Sequence, residues 1–155
     1  MLRFALVGCG RISRKHAGNL GEGRIPGAKL VAVCDTVQTK AQKLGEQYDV
    51  PWFLDMHQMM ETKASEIDVI CILTPSGDHA EHTIALAKYG KHLVVEKPMA
   101  LTLADADRMI RTCDQYGIKL FVVKQNRFNL PVVKLREALE ANRFGKLVMG
   151  TVRVR

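Results

Sequence analysis

No stretch of this sequence approaches the ~20 consecutive apolar residues that a membrane-spanning helix needs, so a membrane protein is not expected. The opening residues, Met1 to Val7, carry no cleavage-site pattern and run straight into a glycine turn, so no secretory signal is expected either. The 4 cysteines (Cys9, Cys34, Cys71, Cys113) contain no CxxC pair and stand at no zinc-ligand spacing with histidine. Neither a disulfide framework nor a metal site is expected. Cys9, Cys34 and Cys71 fall in or beside apolar runs, where a small buried thiol is the simplest role, and that usage fits a reducing cytoplasm. There is no short-period repeat and no low-complexity segment. The net charge of +7 comes from lysines and arginines spread along the chain rather than clustered, which disfavours nucleic acid as a partner. A basic surface of that kind also suits anionic small molecules such as dinucleotides and nucleotide sugars.

What is present is a regular order of elements. The chain has 155 residues, 47% of them hydrophobic and 25% charged, enough for one domain with a core and too few for two full ones. Apolar runs at 2–7, 28–34, 52–53, 69–73, 92–95 and 120–123 read as strands. Helices are expected at 12–20, 39–47, 81–89 and 103–116, with a short one after Asp55 carrying Met56, Met59 and Met60. Those methionines have helical spacing and read as core filler. Gly90 and Gly117 stand where helices need a left-handed stop. The strands VICIL, LVV and LFVV are continuous apolar runs, the mark of strands buried on both faces of a parallel sheet. Strict alternation with helices predicts an α/β doubly wound Rossmann sheet over residues 1–123.

Beyond Val123 the pattern changes. Lys124 to Asn129 is polar, Pro131 is placed to open a helix running to Ala141, and 147–155 (LVMGTVRVR) reads as a strand. A strand with no partner is a poor ending for a domain. Residues 124–155 therefore read as an interdomain segment, a helix and the first strand of a further α/β domain, with the chain truncated there.

Gly8-Cys9-Gly10-Arg11-Ile12-Ser13 follows the first strand and opens the first helix. Gly8 permits a tight turn, and Gly10 lets backbone amides approach a pyrophosphate at the helix N-terminus. Ser13 replaces the third glycine of the fingerprint, which weakens the motif on its own. Asp35, at the end of the second strand and roughly 20 residues on, strengthens it. A carboxylate there accepts hydrogen bonds from both adenosine ribose hydroxyls and repels a 2′-phosphate, and Thr36 rather than an arginine follows it. The expected cofactor is NAD.

Two further stretches lie at the carboxyl ends of strands, where a doubly wound sheet meets its cofactor. In Leu73-Thr74-Pro75-Ser76-Gly77-Asp78-His79, Thr74 is placed for the ribose-phosphate side. His79 is open to helix capping, surface packing or chemistry, while His16 and His82 read as helix-surface residues. Glu96-Lys97-Pro98 ends the fifth strand. Oxidising an alcohol needs a base for the hydroxyl proton as hydride leaves. A partly desolvated lysine beside a positively charged nicotinamide is biased towards its proton-accepting form. Glu96 has two roles open to it, orienting Lys97 or touching the nicotinamide ribose. Pro98 fixes the turn and admits a cis bond. In isolation the tripeptide reads as a solvated Glu–Lys pair before a helix.

Together GCGRIS, AVCD, TPSGDH, GKHLVVEKP and KQNRF resemble the glucose–fructose oxidoreductase / inositol dehydrogenase (Gfo/Idh/MocA) family along the whole chain. The resemblance implies an N-terminal Rossmann domain followed by an α/β domain that completes the substrate site and mediates homo-oligomers. It makes Lys97 the catalytic lysine. It puts Gly8, Gly10, Asp35, Thr74, Pro75, His79 and Glu96 at cofactor positions, with Arg11, Ile12, Leu73, Lys97 and Gln125 among them. Lys97, Asn126 and Arg127 fall at the substrate side. KQNRFN is similar to the branch acting on the 3-hydroxyl of UDP-N-acetylglucosamine or its uronic acid in cell-surface polysaccharide synthesis. The family's second catalytic group, a histidine or aspartate of the following domain, is not in this sequence, so the chain alone is expected to be inactive. An inositol or other free-sugar dehydrogenase is an alternative within the family, and a non-catalytic NAD(H)-binding regulatory module is one outside it.

Overall fold

A computed structural model describes residues 1–153. It divides into two compact units, Met1–Val123 and Lys124–Arg155. In the first, strands β1 (Leu2–Val7), β2 (Ala28–Cys34), β3 (Trp52–Phe53), β4 (Val69–Ile72), β5 (His92–Val95) and β6 (Leu120–Val122) form one sheet in the order β3-β2-β1-β4-β5-β6. Every pairing is parallel. The order reverses between β1 and β4, and such a reversal opens a crevice at the carboxyl ends of the strands.

The continuous apolar runs of β4 and β5 are explained by what lies on each face, whereas β6, expected to be covered on both, is the edge strand and leaves Phe121 52% exposed. Ala5, Val7, Ala32, Cys34, Ile70, Ile72, Leu93 and Val95 face one way, onto α3 (Met56–Lys63), α4 (His79–Ala87) and α5 (Leu103–Gln115). Their neighbours Leu6, Leu30, Val33, Cys71 and Leu73 face the other way, onto α1 (Ser13–Gly21) and α2 (Gln38–Tyr48). Alternate side chains of a strand point to opposite faces, so a strand covered on both sides must be apolar throughout. Met59 and Met60 are fully buried in the α3 layer, as their spacing predicts. The cysteines are free thiols. Burial pushes those of Cys9, Cys34 and Cys71 up to about 12, which keeps them protonated and unreactive.

Local chemistry sets the ends of the helices. The Asp55 carboxylate accepts from the backbone N–H groups of His57 and Gln58 and caps α3. Gly90 and Gly117 adopt left-handed φ values of 67° and 64° just past α4 and α5.

Arg3 ties the start of β1 to the start of β4. Its guanidinium donates to both oxygens of Asp68 at 3.0 and 2.8 Å, and its backbone N–H adds a third bond at 2.8 Å. These bonds, the side-chain ones first, hold the Asp68 carboxyl down at about 2. A carboxylate held below its unfolded value of about 3.9 contributes stability that is whole above that value and fades as the pH falls towards about 2. Both side chains are about a third exposed (33% and 31%), so the contribution is that of a screened surface pair. The urea midpoint is expected to fall more steeply between those two pH values in the wild type than in Asp68→Asn. Parallel acid curves for the two proteins would assign the fall to other carboxylates.

The second unit has its own short elements: a 3-10 turn, Gln125–Phe128, and α6 (Leu130–Glu140), with Pro131 in its first turn. The strand expected at 147–155 does not form over its described part. Residues 147–153 have no regular structure, and the last two lie outside the described residues. Leu147, Val148, Met149 and Val152 are exposed at 64, 90, 87 and 85%. Strand-like alternation makes a strand only when a neighbour supplies the other half of the ladder, and none of the described residues does so.

Candidate cofactor site

The glycine loop is held in place by its neighbours. Gly8 has φ +100°, and a Cβ there would sit 2.7 Å from the backbone carbon of Leu73, so the loop passes against the end of β4 as only glycine allows. A Cβ on Gly10 would meet nothing within 4 Å and would project into open space. Ser13 is fully buried, and its hydroxyl donates to the Gly10 carbonyl at 2.6 Å. Serine at the third fingerprint position thus closes the loop by a hydrogen bond. No side chain caps the N-terminus of α1.

Asp35, just after β2, ties this loop to its own. One carboxylate oxygen accepts from Cys9 N–H and the other from Val37 N–H, both at 2.8 Å. In front of these groups lies a cavity of about 850 Å³ at the carboxyl ends of β1, β2 and β4. Gly8, Gly10, Arg11, Ile12, Asp35, Leu73, Thr74 and Pro75 all line it. Thr36, Lys40, Asp55, Asp78 and His82 line it as well. An uncapped helix start, an open glycine and a fixed carboxylate at the switch point suit a dinucleotide, with phosphates at the helix and ribose hydroxyls at Asp35.

Glu96 lies just after β5 and is buried, 8% exposed. One of its oxygens is 2.8 Å from Nε2 of His16, on α1, and the other accepts from Lys97 N–H at 3.2 Å. The Glu96 carboxylate therefore braces the first helix against the turn that carries Lys97. The side chain of Lys97 is exposed, and the Lys97–Pro98 bond is cis. His79 is buried, with Nδ1 2.7 Å from the Pro98 carbonyl and Nε2 3.0 Å from the Thr74 carbonyl. It clamps the loop after β4 to the turn after β5.

The family model for an oxidoreductase family with an NAD-binding Rossmann fold matches residues 2–124. The chain belongs to the Gfo/Idh/MocA oxidoreductase family. NAD is the cofactor of this fold. Among its relatives, myo-inositol 2-dehydrogenase of Thermotoga maritima is 34% identical over 94% of this chain and 42% of that protein. D-glucoside 3-dehydrogenase of Escherichia coli K12 is 33% identical over 98% of this chain and 43% of that one. Among solved structures, the WlbA dehydrogenase of Bordetella pertussis in complex with NADH and UDP-GlcNAcA is 39% identical, with a TM-score of 0.86. That match covers 94% of this chain and 44% of the other. This Gfo/Idh/MocA chain thus spans less than half the length of the relatives it matches.

Two residues that sequence reasoning assigned to helix surfaces belong elsewhere in this Gfo/Idh/MocA unit. His16 holds Glu96, and His82 lines the cavity with Nδ1 3.0 Å from the Thr74 hydroxyl. Burial pushes the His82 imidazole below its ordinary value, favouring the neutral ring. The signal for His16 was its spacing, since it follows the buried Ser13 by three residues and so shares a helix face with it. Gln125, Asn126 and Arg127 lie in the 3-10 turn of the second unit with exposed side chains.

Proposed function

We propose that this chain is the cofactor-binding part of an NAD-dependent dehydrogenase. In this reading the enzyme oxidises a hydroxyl of a nucleotide sugar, the 3-hydroxyl of UDP-N-acetylglucosamine or its uronic acid, for cell-surface polysaccharide synthesis in the cytoplasm. The observation that carries the reading is Lys97, an exposed amine side chain at the end of a central strand, anchored through the Glu96 contact with its backbone N–H to the helix that opens at the glycine loop. NAD, when bound, supplies the hydride acceptor. Gly10 and the start of α1 take the pyrophosphate, Asp35 takes the adenosine ribose, and Lys97 takes the proton of the substrate hydroxyl. The family resemblance assigns Gln125 to cofactor binding and Asn126 and Arg127 to substrate binding. A following domain adds the second acid/base and the homo-oligomer contacts. The likeness to the WlbA dehydrogenase in complex with UDP-GlcNAcA supports this substrate class. The likeness to myo-inositol 2-dehydrogenase supports the second reading, an inositol dehydrogenase.

NADH formation separates these readings. The protein extended by its following domain is offered UDP-N-acetylglucosaminuronate and myo-inositol in turn, and turnover with the nucleotide sugar is expected. Turnover with inositol alone selects the second reading. The 155-residue chain alone is expected to bind NAD and turn over neither substrate, because substrate positioning is lost. Calorimetry should show NAD bound more tightly than NADP, and Asp35→Ala should cost about 1–3 kcal/mol in NAD binding, as charge-assisted hydrogen bonds do. Tighter binding of NADP by the wild type contradicts the role given to Asp35.

A further inference from the structure

Thr74 is held by two histidines of α4. His79 and His82 are three residues apart and so share one side of the helix, and both rings reach back to the loop after β4. The His79 ring meets the Thr74 carbonyl, while Nδ1 of His82 lies 3.0 Å from the Thr74 hydroxyl. The two contacts differ in kind. His79 is buried and joins two backbone carbonyls, whereas Thr74 and His82 are only partly buried, and both line the cofactor cavity. The bond between Thr74 and His82 caps no helix and satisfies no backbone group. As a contact between two half-covered side chains it adds little to stability, so its consequence lies in what Thr74 offers the cavity. Among the described residues the Thr74 hydroxyl has no other hydrogen-bond partner.

A hydroxyl has one proton and two lone pairs, and what it shows a ligand depends on which of these its neighbour uses. Burial pushes the His82 ring below its ordinary value, so the ring is neutral and carries a single N–H. With that proton on Nε2, Nδ1 accepts from Thr74, and the threonine turns only lone pairs to the cavity. With the proton on Nδ1, the ring donates to Oγ1 and the threonine proton is free. The oxygens of a pyrophosphate accept and do not donate, so only the second arrangement gives them a hydrogen bond.

We propose that His82 is a positioning residue of the dinucleotide site, whose Nδ1–H holds the Thr74 oxygen and aims the hydroxyl proton at a phosphate oxygen of NAD. The proposal rests on the reading that places Thr74 on the ribose-phosphate side of the cofactor. His82 acts through Thr74 and needs no contact of its own with the dinucleotide.

The test combines calorimetric NAD titrations of the full chain with nitrogen NMR of its labelled histidine rings. Thr74→Val is expected to lower NAD affinity about tenfold or more, the scale of a lost hydrogen bond to a charged group. His82→Leu should lower it about fivefold, because the hydroxyl is left free to turn away. His82→Asn, close to leucine in size but with an amide where Nδ1 stood, should recover most of that loss. In the Thr74→Val background, His82→Leu should change affinity by less than about twofold, since a residue acting through Thr74 has nothing left to act on. In the NAD complex of the unaltered chain, the His82 ring should carry a proton on Nδ1. His82→Ala is the second variant should leucine disturb α4, and the NMR reading depends on neither. A Thr74→Val protein that binds NAD as the wild type does overturns both the proposal and the reading beneath it. If Thr74→Val weakens NAD while the His82 variants do not, that reading stands and the proposal fails. The proposal fails as well if asparagine recovers nothing, or if Nδ1 is bare in the NAD complex. Equal losses from His82→Leu in both backgrounds also sink it, because His82 would then meet the cofactor directly.

Discussion

In the complete enzyme, Lys97→Met is expected to leave NAD binding nearly intact and to lower kcat by roughly 10²–10⁴, the usual worth of a positioned acid or base. The reason lies in the turn after β5. The Lys97 backbone leaves the sheet at the same edge as the glycine loop, and its N–H is held by Glu96, which in turn meets His16 on α1. The cofactor loop and the lysine are thus parts of one braced assembly, while the lysine side chain itself stays exposed. That exposure leaves the lysine side chain without a packing role in the fold, as the proposed catalytic role requires. Lys97→Arg should recover little, because a guanidinium stays protonated and cannot accept the proton. NADH absorbance gives kcat, and calorimetry gives NAD affinity. If affinity and turnover fall together, Lys97 is a ribose or phosphate contact, and the proton goes to a residue of the following domain.

Gly8→Ala and Gly10→Ala are expected to part company just as sharply, although both glycines belong to one short loop. At Gly8 a methyl group meets three backbone atoms of Leu73 and Thr74 at 2.7, 2.8 and 2.9 Å, in a backbone conformation that L residues avoid. Neither neighbour is a flexible side chain, so β1 and β4 must move apart at the switch point. Strain and lost packing together should cost about 2–4 kcal/mol of stability, visible as a lower urea midpoint, with NAD binding lost alongside. At Gly10 the methyl group meets nothing, so stability should shift by no more than about 0.5 kcal/mol. NAD affinity should nonetheless fall about tenfold or more, because the added methyl stands where the pyrophosphate must approach the backbone. A Gly10→Ala protein that binds NAD normally would show that the cofactor does not approach that backbone.

Much of this molecule was legible in the residue pattern, because its elements are set by near-neighbour chemistry. A strand covered on both faces must be apolar throughout its covered length, which made β4 and β5 readable from the runs VICIL and LVV. Asp55, Gly90 and Gly117 act on backbone groups a few residues away, so the helix ends they set needed no knowledge of the fold. The motif GxGxxS and the later aspartate could be brought to one cavity from the sequence because the chain order of a doubly wound sheet puts both at one edge.

Other features depended on residues far apart in the chain. His16 and Glu96 stand 80 residues apart, and only the sheet order β1-β4-β5 brings α1 beside the turn after β5. His79 reaches back to the Thr74 carbonyl and across to that of Pro98, a clamp that follows from β4 and β5 being neighbours. His79 carries no local signature of such a role, and for His16 the spacing from Ser13 gives an inward helix face but not the partner it meets. The stretch 147–153 shows the converse. Its alternation satisfied every local rule for a strand, yet no strand forms there, because a ladder needs hydrogen-bonding partners from a second strand and a single segment supplies only half of them.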